Sequence, residues 1–174
     1  MERSLLTDAR AIRNGLLIIL TAVAVCGCWY YSTSGSLLPP HIKTVAVPLF
    51  GNETAWEYGI KETLTDEVIE AFTRDNTLKI ESQRNADSVI RGTITSIKEI
   101  PFTYDKEEQV QEFKVQILVN IKFEDLKERK IIWEDEAMEG WGTYSPQDTV
   151  WQAGIDQAIE KLASDIVNKT VAGW

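Results

Sequence analysis

The stretch FKVQILVNIKF, residues 113–123, decides the fold. Phe113, Val115, Ile117, Val119, Ile121 and Phe123 alternate with Lys114, Gln116, Leu118, Asn120 and Lys122. Side chains of a strand point to opposite faces with a period of two, so this pattern is a strand with one buried and one solvated face. A sheet of that kind needs a layer to cover its apolar side.

Working outward, residues 88–102 predict a second long strand, with Ile90 and Ile94 in one phase and Ile97 in the other. The change of phase predicts a bulge near Thr95 or Ser96. Residues 103–108 (TYDKEE) are a polar hairpin tip, and 125–130 (DLKERK) turn the chain again. Residues 131–138 then form the next strand, with Trp133 and Ala137 in phase. Short polar turns between these three strands imply antiparallel pairing. Gly140-Trp141-Gly142-Thr143-Tyr144 reads as irregular, with Trp141 and Tyr144 packing against the helix that follows.

Two helices supply the cover. Thr54-Ala55-Trp56-Glu57 fits a capping box. Behind it Ile60, Leu64, Val68 and Phe72 recur every four residues, with Ile69 beside them, until Asp75-Asn76. Ser145 as cap and Pro146 in the first turn predict a second helix to about Thr170. Its apolar face is Trp151, Ile155, Ala158, Ile159, Leu162 and Ile166. Residues 42–49 give a first strand ahead of a turn at 51–54, and 78–81 a short one. The expectation is an α+β domain over 42–172, with two amphipathic helices packed on one face of a mostly antiparallel four- to five-stranded sheet.

The N-terminus is of another kind. Residues 16–26, LLIILTAVAVC, form an apolar run behind Arg3, Arg10 and Arg13. A bilayer-spanning helix needs roughly 20 residues, so the run is short for an anchor and has the layout of a secretory signal. It ends in Val25-Cys26-Gly27-Cys28, which resembles the bacterial lipoprotein box. That resemblance implies cleavage after Gly27, a signal peptide over 1–27 and lipidation, diacylglycerol and palmitate, at Cys28. Cys26, behind the bulky Val25, is the rival acceptor. Residues 28–41 are then a lipidated tether, where Trp29, Tyr30 and Tyr31 suit a lipid headgroup layer. Removing 1–27 leaves 15 basic against 25 acidic residues, a net charge of −10. Such an acidic chain has no general affinity for nucleic acid.

Candidates for chemistry are few. His41 is the only histidine, stands beside Pro39-Pro40 without an identifiable Ser or Cys partner, and reads as a surface residue. The carboxylates at 107–108, 124–125 and 134–136 read as solvated, and their spacing matches no calcium loop. No cofactor, metal or catalytic residue is expected.

Taken together, Leu-Pro-Pro-His-Ile-Lys-Thr-Val-Ala-Val-Pro-Leu-Phe (38–50), Asn-Glu-Thr (52–54), Ala-Asp-Ser-Val-Ile-Arg-Gly (86–92), Pro-Phe-Thr-Tyr-Asp (101–105) and Gly-Trp-Gly-Thr-Tyr (140–144) resemble the LPS-assembly lipoprotein (LptE) family. The resemblance covers about residues 38–170. It departs at Trp29, where the family commonly has Gly. It implies a non-enzymatic lipoprotein at the periplasmic face of the outer membrane, binding and supporting the lipopolysaccharide-translocating β-barrel (LptD). Direct contact with lipopolysaccharide phosphates would need cations, and Lys127, Arg129 and Lys130 at one tip and Lys106 at another are the candidates. Two alternatives stay open: an adaptor lipoprotein of another cell-envelope complex, and a lipid-anchored periplasmic enzyme.

Overall fold

The computed structural model describes residues 38–56, 59–147 and 150–172. In chain order they form β1 (Thr44–Ala46), β2 (Gly51–Asn52), α1 (Ile60–Asp75), β3 (Lys79–Ile80), β4 (Ser88–Tyr104), β5 (Val110–Asp125), β6 (Lys130–Tyr144) and α2 (Trp151–Val171). The fold is α+β. The sheet runs β3-β1-β4-β5-β6, with β2 also on β4, so it has six strands where four to five were expected. The additional strand is β2, whose residues read as a turn; Gly51 pairs with Thr93 and Asn52 with Ile94. The three long strands are antiparallel, while β1 and β2 run parallel to β4 and β1 parallel to β3. Parallel neighbours need a crossover, and α1 provides it between β2 and β3.

The alternation in β5 sets the core. Val115, Ile117, Val119, Ile121 and Phe123 have no exposed surface. Against them pack Leu64, Val68 and Phe72 of α1 and Ile155, Ala158, Leu162 and Ile166 of α2, all within one apolar cluster. Each Val, Leu, Ile or Phe among them, fully buried, contributes about 1.5–3 kcal/mol. The bulge in β4 falls at Thr95: Ile94 pairs with Val119, and the next pair is Ser96 with Leu118. The core phase passes there from Ile94 to Ile97, which packs at the edge of the cluster.

A second bulge corrects the reading of β6. Val119 pairs with Met138, yet Ile121 pairs with Asp135, so one extra residue of β6 lies opposite Asn120. Before the bulge Trp133 lies across from Phe123, on the core side. After it the even positions face α2, so Met138 is buried and Ala137 is exposed. Residues 140–144 are not irregular but continue β6. Their glycines mark a close approach: a Cβ at Gly140 would collide with the carbonyl oxygen of Ala158 and the Leu162 side chain, and one at Gly142 with the carbonyl oxygen of Gly154. Gln157 of α2 completes this contact. Its amide donates to the carbonyl of Thr143 and accepts from the Thr143 N–H, at 3.3 and 3.2 Å, covering an edge of the sheet that would otherwise be open.

Both helices begin later than their caps suggest. The Thr54 hydroxyl donates to Asn52 Oδ1 at 2.7 Å and accepts from the Trp56 N–H, so it is spent on its own turn. α1 starts at Ile60 behind Gly59, whose φ of 64° suits a residue without a Cβ. α2 starts at Trp151 behind the extended Val150, beyond Ser145 and Pro146. Trp56 stacks on Trp151 with ring centroids 5.1 Å apart, which brings the two helix starts together. The end of α1 matches expectation, with Asn76 left-handed and its N–H on the Phe72 carbonyl.

The packing of α2 on β6 yields a test. Gly140→Val adds a side chain where helix backbone already sits, and overpacking of this kind costs about 1–3 kcal/mol. Urea unfolding should show a midpoint lowered to match, whereas Ala137→Val, at an exposed position of the same strand, should leave it nearly unchanged.

Candidate functional site

The chain enters the domain at Leu38–His41, and a buried carboxylate fixes the entry. Asp125, the last residue of β5, is 2% exposed, and its Oδ2 accepts from His41 Nε2 at 2.5 Å. Its other oxygen accepts the backbone N–H groups of Lys127 and Glu128 at 2.8 and 2.9 Å. One side chain therefore shapes the β5–β6 turn and holds the entering segment against it. Burial opposes the charge on Asp125, but the amide of Glu128, the imidazole and the amide of Lys127 outweigh it, and its pKa lies below the ordinary value.

Asp87 repeats the device one strand away. Its Oδ2 accepts the N–H groups of Lys43 and Thr44 at 2.9 and 3.1 Å, and Lys127 Nζ lies 2.6 Å from its Oδ1. The Asp87 N–H and the Ser88 hydroxyl bond back to Thr44. Lys127, then the amide of Lys43, hold the Asp87 carboxyl far below the usual carboxylate range. The sequence reading treated Asp125 as solvated, and its buried position corrects that. His41 is likewise not simply a surface residue but a half-buried partner of Asp125. The only signal in the sequence was an aspartate at the end of an apolar strand, and that is equally what a turn requires.

His41, Asp125 and Glu128 bring potential ligand atoms within 4.8 Å of one another. Histidine and carboxylates are a donor set for a divalent cation, but His41 and Asp125 already satisfy each other. Beside them is a hollow of about 350 Å³ lined by Glu124, Asp125, Leu126, Arg129, Lys130 and Ile131. Arg129 takes a left-handed φ of 54° in the turn. Among the described residues neither Arg129 nor Lys130 forms an ion pair, whereas Lys127 is committed to Asp87.

Lys106 is elsewhere. It lies in the β4–β5 turn, at the opposite end of the 16-residue β5, about 50 Å away at the rise of an extended strand. The four candidate cations thus divide into a group of three and a single residue, and the single one sits among Asp105, Glu107, Glu108 and Glu112. This end also carries exposed apolar side chains, namely Ile100, Phe102 and Tyr104 on β4 and Trp141 on β6. Tyr144 stacks on Phe113 and lies near Gly154 of α2, as expected. Trp141 does not pack on the helix. Gly140 and Gly142 take the helix-facing positions, so Trp141 faces outward, 42% exposed, with Lys114 Nζ 5.2 Å from its ring. Beyond the stretch paired with β2, no strand among the described residues pairs with the outer edge of β4. Cys26, Cys28 and Trp29–Tyr31 lie outside the described residues.

Residues 42–170 match the family model LptE, lipopolysaccharide-assembly. The chain belongs to the LptE family. No curated protein matches it. Similar solved structures share the fold of this LptE-family domain at low identity. The hypothetical protein CT253 from Chlamydia trachomatis superposes with a TM-score of 0.53 at 12% identity, covering 74% of this chain and 95% of that one. A minor lipoprotein from Acinetobacter baumannii gives 0.51 at 15% identity, over 78% and 95%. A PelC dodecamer variant from Paraburkholderia phytofirmans gives 0.50 at 12%, over 74% and 89%.

The two aspartates make acid sensitivity a readout. Their folded-state pKa values lie below the unfolded value of about 3.9. The stability they contribute is therefore complete above that pH and is lost as pH falls through the folded values. Asp125→Ala should lose about 3 kcal/mol at pH 7, because it strands His41 and two turn amides. Asp125→Asn should flatten the decline of stability between pH 5 and pH 2 (about the range in which Asp titrates), measured by urea unfolding at each pH.

Proposed function

We propose that this chain is an outer-membrane lipoprotein, anchored through an acylated Cys28 at the periplasmic face, that binds and supports the β-barrel delivering lipopolysaccharide to the outer leaflet. The family match across the folded domain carries the reading. The surface agrees with a holding role. The β4–β5 hairpin offers a strand edge, exposed aromatic and aliphatic side chains and an acidic tip, which are features of a docking surface for another protein. The role is non-catalytic: Asp87 and Asp125 are engaged with backbone amides and with Lys127 and His41, respectively. The four cations do not form one phosphate site, so any lipopolysaccharide contact through Lys106 is separate from one through Lys127, Arg129 and Lys130.

Extraction from membranes in mild detergent should bring down a heat-modifiable β-barrel with the wild-type protein. Phe102→Ala with Tyr104→Ala should cut the barrel yield while changing stability by only about 0.5 kcal/mol, since both residues are exposed. Cys28→Ala should abolish fatty-acid labelling and release the protein from the membrane fraction. Retained label, or recovery with a soluble periplasmic enzyme in place of a barrel, would overturn the reading.

A further inference from the structure

We propose that the outer edge of β4, between Ile94 and Pro101, takes up one added strand: an extended segment of the barrel partner with an acidic side chain opposite Lys98. This edge belongs to the docking hairpin, so the added strand rests on the barrel reading and names how the partner is held. The backbone groups of β4 point to it. Ile94 accepts the Glu53 N–H at 2.9 Å through its carbonyl, so its polar groups face away from β5. In an antiparallel ladder, residues bonded to the neighbour alternate with residues facing away. Counting on across the bulge at Thr95, Lys98 and Ile100 bond to β5, while Ile97, Glu99 and Pro101 face outward. Pro101 agrees with the count, since a proline sits in a strand where its missing N–H would face the open edge. Ile97 and Glu99 thus each present an N–H and a C=O to an edge on which no strand lies among the described residues. The outer edge of β6 differs, because Gln157 takes both polar groups of Thr143.

The limits of the edge decide what fits. The Glu53 contact and the bulge bound it on one side and Pro101 on the other, so it takes a strand of about five residues. A second copy of this chain does not suit it. Antiparallel self-pairing about Lys98 would set Lys98 opposite Lys98. Self-pairing about Glu99 would set two carboxylates together and bring Pro101, without an N–H, opposite Ile97. Self-pairing about Ile97 would bring Glu99 against the bulge. Like charges directly opposite each other destabilise a sheet. A different chain escapes this conflict. Lys98 is exposed and has no ion pair among the described residues, so an acidic side chain opposite it is favoured. An apolar side chain opposite Ile97, which packs at the rim of the core, would extend the apolar cluster. A closed barrel has no free strand edge, so the segment comes from a loop or terminus of the partner and not from its wall.

Hydrogen exchange resolved to single amides, on the full chain alone and on the full chain co-purified with the barrel, tests this. In the free chain Ile97 and Glu99 should exchange at least about tenfold faster than Lys98 and Ile100, and the barrel should slow both by about tenfold or more. Equal rates in the free chain, rates unchanged by the barrel, or slowing that follows the concentration of the chain alone and so marks a second copy would each overturn the proposal. Substitution gives an independent readout. Glu99→Pro removes an outward N–H and leaves the bonds of Lys98 and Ile100 to β5. Barrel recovery should fall about tenfold below that of Glu99→Ala, which loses the same side-chain bond to the Tyr144 hydroxyl. Lys98→Glu should lower recovery by about fivefold, and Lys98→Ala by less. Urea unfolding checks that each variant folds; if Glu99→Pro does not, Lys98→Glu and the exchange rates decide. Undiminished recovery with the folded variants would overturn the added strand and leave the barrel reading standing. Absence of a barrel from the wild-type preparation would remove both.

Discussion

The structure depends on β5 being paired on both sides along nearly its whole length while keeping one face dry. Its hydrogen bonds to β4 and β6 leave its side chains only two directions, and the alternation from Val115 to Phe123 sends the apolar set toward the helices. A slip of one residue would put that set into water and the lysines into the core. Everything else accommodates this strand. The bulges at Thr95 and opposite Asn120 adjust the neighbours so that their apolar residues stay on its dry face. The glycines at 140 and 142 clear the space in which α2 lies close to the sheet.

The two ends of the same strand differ because they are closed differently. At the β5–β6 end a buried aspartate takes up the turn amides, and the first segment of the described chain is bonded to it. A second aspartate binds the start of β1 to the start of β4 and to Lys127. The short β1, the start of the long β4 and the β5–β6 turn are thereby joined by charge-assisted bonds, which are among the stronger polar contacts a protein makes. The β4–β5 end has no such cover. There the hairpin turn relies on Asp105 accepting from Glu107 and Gln109, and the strands leave apolar side chains in solvent.

How much of this was legible in the sequence follows from which features are periodic. β5, the α1 stripe, the α2 stripe and the bulge at Thr95 were readable, because each is a run or a break of period that repeated burial imposes. The helix starts were not. Thr54 has the chemistry of a cap, but Asn52 lies two residues earlier and takes its hydroxyl, and a single sequence cannot rank those two partners. Gly140 and Gly142 were misread for a related reason. Glycine serves a loose turn and a tight helix contact equally well, and only the path of α2 separates them. With the strand missed, Trp141 was assigned to the helix side, one position out of phase. Asp125 and His41 are 84 residues apart, and no local pattern joins them.

The candidate surfaces were legible as residue types and not as places. Lys106, Lys127, Arg129 and Lys130 could be chosen for their charge, since any phosphate contact requires it. Their separation along β5, the engagement of Lys127 with Asp87 and the acidic surroundings of Lys106 are properties of the folded chain. That separation changes what the charges can do. Four cations converging on one point would bind a multiply charged headgroup; three at one end, one of them paired with Asp87, and a fourth among acids at the other do not make that site.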